Sequence, residues 1–157
     1  MSFAEVHREN YRRQAQAYGI DADFVSEMVD GFYTKVRNDS ELGPIFDQVI
    51  QDQWGPHLVK MKQFWRAIAL KTGEYHGRPM PAHLKLKNVT KQHFDIWLRL
   101  FDENLEEVAP SPEAKAFFQD RARNIARSLM MGMFFDPEAE LGAKSWGMSF
   151  MPLWGLQ

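Results

Sequence analysis

The chain has 157 residues, 45% of them hydrophobic and 25% charged, the balance of a single folded domain rather than of a disordered or membrane-embedded chain. It contains no cysteine, which excludes disulfides, thiolate metal sites and cysteine nucleophiles together. With 19 basic and 21 acidic residues and no basic block, nucleic acid is not an expected partner; the charged start, Glu5, Arg8, Glu9, Arg12 and Arg13, has no secretory apolar run, so a cytoplasmic protein is expected.

Val25, Met28, Val29, Phe32 and Val36 recur at helical spacing, with Asp21 or Asp23 as the N-cap and Asn38 to Ser40 as the stop, which predicts a first amphipathic helix. Leu42 to Phe46 contains Gly43 and Pro44 and reads as a tight corner that turns Ile45 and Phe46 inward. A second helix is predicted from about Gly55 and Pro56, where proline suits a first turn, with His57, Met61, Phe64 and Ile68 on one face. Gly73, Gly77, Pro79 and Pro81 then break the chain into a loop that carries His83, with at most a short helix around it.

Thr90 can cap a third helix whose apolar stripe is Phe94, Trp97, Leu98, Phe101, Leu105 and Val108. Ser111 and Pro112 open a fourth, with Phe118, Ala122, Ile125, Leu129 and Met133 on its stripe. The expected fold is therefore all-α, four main helices in one domain over residues 1–134. Residues 135–157 read as an appended aromatic and methionine-rich tail, because Trp146, Phe150 and Trp154 share no helical period. Lys144, Gly147 and Pro152 interrupt this tail well short of the roughly 20 apolar residues a membrane span needs.

Tyr33, His57, His83 and Trp97 each carry a polar atom on or beside an apolar stripe. A buried donor left without a partner costs roughly 1–3 kcal/mol, so these four call either for separate partners in an ordinary core or for one shared polar ligand. No HExxH, GxSxG or glycine-rich phosphate loop is present, which removes the common hydrolase and nucleotide readings. A non-haem metal site from His57, His76, His83 and His93 is disfavoured by Pro79 and Pro81, which break the register that would gather them.

Four segments in order, FYTKVRNDSELGPIF (Phe32 to Phe46), WGPHLVKMKQFW (Trp54 to Trp65), TGEYHGRPMPAHLKL (Thr72 to Leu86) and HFDIWLRLF (His93 to Phe101), resemble the truncated haemoglobins, and specifically their group III branch. The resemblance implies a two-over-two helical sandwich around haem b (iron protoporphyrin IX), with a reduced first helix and a proximal segment that is mostly loop. It implies His83 as the ligand to iron and Tyr33, His57 and Trp97 as the polar set on the gas-binding side. Phe46, Met61, Phe64, Met80, Leu86 and Phe94 match wall positions of the porphyrin pocket, and His76 and Arg78 are placed to reach a haem propionate.

The function so implied is binding of a diatomic gas (O2, NO or CO), as oxygen transport, storage or sensing. The same pocket would suit a haem enzyme that reduces peroxide or converts nitric oxide, and with no flavin or nicotinamide fingerprint such turnover needs an external reductase. A cofactor-free helical interaction module is the remaining alternative, and oligomeric state is not legible in the residues.

Overall fold

The computed structural model describes residues 1–77, 83, 86 and 88–134; Arg78, Met80 and the tail 135–157 lie outside the described residues. Six helices and no strands are found among them: α1 (Phe3–Ala17), α2 (Ala22–Asn38), α3 (Leu42–Ile50), α4 (Trp54–Leu70), α5 (Lys91–Val108) and α6 (Pro112–Met133). The four long helices of the sandwich are α2, α4, α5 and α6. Helix α2 packs on α4, α5 packs on α6, and α2 crosses to α5 through the centre.

The ends of these helices follow from their capping residues. Asp21 accepts the Phe24 N–H at 2.8 Å and Lys35 and Arg37 occupy the last turn of α2, which matches both ends of the helix dipole. Ser111 accepts the Ala114 N–H at 3.0 Å and donates to the Tyr18 carbonyl at 2.6 Å, so one hydroxyl starts α6 and ties it to the end of α1. At α5, where Thr90 is the N-cap, the Thr90 N–H donates to Nδ1 of His93 at 2.9 Å. The imidazole does there what a glutamate does in a standard capping box.

Phe32, Met28, Phe101, Leu105 and Phe118 are fully buried where α2, α5 and α6 meet. Trp65 of α4 stacks on Phe101 at 5.3 Å between centroids, and Phe101 stacks on Trp97 at 5.6 Å. This aromatic column spans the layers and brings Trp97 to the cavity described below. Helices α2 and α5 come closest at Gly31, where a Cβ would lie 2.5 Å from Asn104 Oδ1; Asn104, itself buried, donates to the Met28 carbonyl at 2.7 Å.

Two elements differ from the sequence expectation. The corner at Leu42 to Phe46 is the first half of a nine-residue helix, α3; Pro44 falls in its first turn, where a missing N–H costs nothing. Helix α1, fifteen residues long, replaces the reduced first helix that the resemblance implied. It is mostly exposed, and a capping box between Ser2 and Glu5 starts it. Arg12 and Tyr11 then fasten it to the body, by a bond to the Leu70 carbonyl and a bond from Arg121.

Candidate functional site

A cavity of about 350 Å³ opens between α3, α4, α5 and α6. Its walls are apolar, with Ile45, Phe46, Val49 and Ile50 from α3 and Met61, Phe64 and Trp65 from α4. Phe94 of α5, Ile125 and Leu129 of α6, and Leu86 complete them. A few polar groups interrupt these walls: Tyr33 from α2, His57 and Lys60 from α4, His93 and Trp97 from α5, and Tyr75 and His83 from the segment between α4 and α5. An apolar body with a small convergent polar set is the usual form of a cofactor or small-molecule site.

Tyr33, His57 and Trp54 form a mutually edge-to-face cluster, with Tyr33 to His57 at 5.3 Å, Tyr33 to Trp54 at 5.9 Å and Trp54 to His57 at 5.8 Å. Phe32 stands between this cluster and Trp97, 5.0 Å from Tyr33 and 5.4 Å from Trp97. Burial pushes the Tyr33 phenol well above the ordinary tyrosine range, with Tyr75 adding to the effect, so Tyr33 keeps its proton. Burial, then the charges of Lys60 and His83, pull His57 down from 6.5 to about 4. His57 is therefore a neutral imidazole at pH 7, and its Nε2 is buried with no hydrogen-bond partner among the described residues. A buried polar atom of this kind calls for an explanation, a bound ligand or an ordered water among them.

The loop that follows α4 turns through Lys71 in the left-handed region and Gly73 at φ +71°. Arg66 clamps it with two bonds to the Glu74 carboxylate, at 2.8 and 2.9 Å, and this pairing holds the Glu74 carboxyl well below its ordinary range. Tyr75 is thereby folded inward, edge-on to Phe64 at 5.0 Å. Gly77 makes this possible: a Cβ there would overlap the Tyr75 hydroxyl. Beyond it, the Leu86 N–H bonds the His83 carbonyl at 3.0 Å.

Of the residues singled out in the sequence, the cavity gathers Tyr33, His57, Trp97, His83, Phe46, Met61, Phe64, Leu86 and Phe94. His76 is exposed and does not line it. Tyr75, Lys60 and His93 line it without having been singled out for it. Tyr75 sits in a glycine-rich loop without periodicity, so the one available signal was an aromatic two residues before Gly77. His93 already acts in the α5 cap, and its Nε2 lies 3.4 Å from Glu41 at the start of α3.

No helix among the described residues is long and apolar enough to cross a membrane. Residues 16–130 match the bacterial-like globin family model. A group 3 truncated haemoglobin of Campylobacter jejuni is 36% identical over 110 residues, covering 68% of this chain and 86% of that protein. A group 2 truncated haemoglobin of Bacillus subtilis is 27% identical over 113 residues, covering 71% and 84%. The crystal structure of a group III truncated haemoglobin from Campylobacter jejuni superposes with a TM-score of 0.66 at 36% identity, covering 70% of this chain and 88% of that one. A matched span from the end of α1 nearly to the end of α6, the all-helical sandwich and the relatives in both comparisons agree: the chain belongs to the bacterial-like globins, as a truncated haemoglobin of group III.

Proposed function

We propose that this protein binds haem b in the cavity, with His83 as the axial ligand to iron, and uses Tyr33, His57 and Trp97 to hold dioxygen or another diatomic gas. The observation that carries the reading is the convergence of His57, His83 and a proton-retaining tyrosine on one apolar cavity, with His57 Nε2 left without a partner among the described residues. The residues fit a flat apolar group: phenyl, methionine and aliphatic side chains from four elements would face its two sides and edge. When bound, haem would supply an iron centre able to take up a diatomic gas.

The chain's own residues would divide the remaining work. The imidazole of His83 would offer a ring nitrogen as donor to the iron. Tyr33 holds its proton and so can donate it to a bound ligand, and a donor in a dry pocket acts more strongly than in water. The Trp97 indole, kept in place by its stack on Phe101, provides a second donor. Phe46, Met61 and Phe64 exclude water from the same space.

Titrating haem into the purified full-length chain tests this by absorption. The expected result is saturation at one haem per chain with a sharp Soret band and a ferrous form that shifts on adding carbon monoxide. A colourless protein that takes up no haem overturns the reading.

A further inference from the structure

The ligand-side wall of the cavity is held from outside by a clasp that the proposed chemistry does not use. Trp54, the first residue of α4 and only 8% exposed, donates its indole N–H to Asp47 Oδ1 of α3 at 2.9 Å. Arg37, in the last turn of α2, lies 4.4 Å over the same indole ring, with its Nε 3.8 Å from the same carboxylate oxygen. Three helices thus meet at one aromatic ring whose other contacts are Tyr33 and His57.

Two backbone bonds, from the Gln51 N–H to the Asp47 carbonyl at 2.8 Å and from the Gln53 N–H to the Ile50 carbonyl at 3.0 Å, shape the connection from α3 to α4, and its side chains add little. Gln51 takes φ 56° and ψ −119°, a backbone region unfavourable to a residue with a side chain. Gln53, the N-cap of α4, makes no side-chain capping bond, and a Cβ on Gly55 would meet nothing within 4 Å. Yet this uncapped end carries His57, whose amide bonds the Gln53 carbonyl at 3.0 Å. An indole bond to a carboxylate is charge-assisted and roughly twice as strong as a neutral one, and the cation over the ring adds to it. The clasp is therefore the side-chain tie, beside these backbone bonds, that bears on where α4 begins and hence on where its imidazole stands.

We propose that Trp54, held by Asp47 and Arg37, is a positioning residue for the gas-binding side: it fixes His57 and Tyr33 against each other and keeps the seam between α3 and α4 closed to small ligands. The seam is lined on the inside by Val49 and Ile50, and Val49 is also exposed outside, so a displacement of α4 there joins cavity to solvent.

This inference rests on the haem reading and is tested in the haem-loaded full chain with carbon monoxide as the probe, after laser photolysis, alongside hydrogen exchange at the His57 amide. Trp54→Phe keeps the ring and removes the N–H; Asp47→Ala removes the acceptor, and Asp47→Asn keeps an Oδ1 acceptor. In Trp54→Phe and Asp47→Ala the His57 amide should exchange about tenfold faster, the size expected for loss of one bond to a charged group, and more carbon monoxide should escape before rebinding. Asp47→Asn, which keeps an acceptor without the charge, should recover part of both. Carbon monoxide escape and amide exchange at wild-type levels in Asp47→Ala, whatever its melting temperature, overturn the clasp as a positioning device. Asp47 is half exposed, so that variant carries the test even if Trp54→Phe does not fold. A wild-type chain without a Soret band fails the haem reading instead, and the two failures are told apart by the spectrum.

Discussion

Burial sets the protonation of Tyr33 and His57, and it gives the role proposed for each a measurable signature. Replacing Tyr33 with Phe removes one hydroxyl and almost no volume, so haem content should stay unchanged while oxygen dissociation quickens by about tenfold, the effect of one lost hydrogen bond; stopped-flow oxygen release measures it. For His57 the sign follows from its lowered value of about 4 against an ordinary 6.5. Above 6.5 both folded and unfolded chains keep the imidazole neutral. Between 6.5 and 4 the unfolded chain takes up a proton that the folded one refuses, so this residue's contribution to stability is lost as the pH falls through that window. Urea midpoints at pH 7 and pH 4.5 should therefore lie further apart in the wild type than in His57→Gln.

At the scale of elements, the close approach of α2 and α5 depends on the bare Gly31 backbone against Asn104 Oδ1. Asn104 cannot swing away without giving up its bond to the Met28 carbonyl. Gly31→Ala should thus lower stability by about 1 kcal/mol, an overpacking cost of ~1–3 kcal/mol less the helix propensity alanine gains, read as a shift in urea midpoint. How visible an element was in the residues depended on whether its burial is periodic. The stripes of α2, α5 and α6 bury every third or fourth residue, and their capping residues Asp21, Thr90 and Ser111 stand where the sequence suggests. Helix α1 buries only Ala15 and so has no stripe; its one clear mark is the Ser2 and Glu5 pair. Helix α3 was hidden by Pro44, a residue tolerated in a first turn and misread there as a break.

For the whole molecule, the same distinction separates the legible half of the site from the rest. Tyr33, His57 and Trp97 lie on helices, so their faces follow from spacing, and the cavity holds all three. Tyr75, Trp54 and His93 act through loop geometry, an inter-helix bond and a helix cap, none of which has a sequence period. The sandwich of four long helices thus supplies a cavity whose polar groups come from α2, α4, α5 and one loop segment, and the proposed bond from His83 to iron would tie the cofactor to it. Resonance Raman spectroscopy of the ferrous, gas-free protein tests that bond most directly: the iron–imidazole stretching band should be present in the wild type and absent from His83→Ala. A band that persists unchanged in the variant would contradict the assignment.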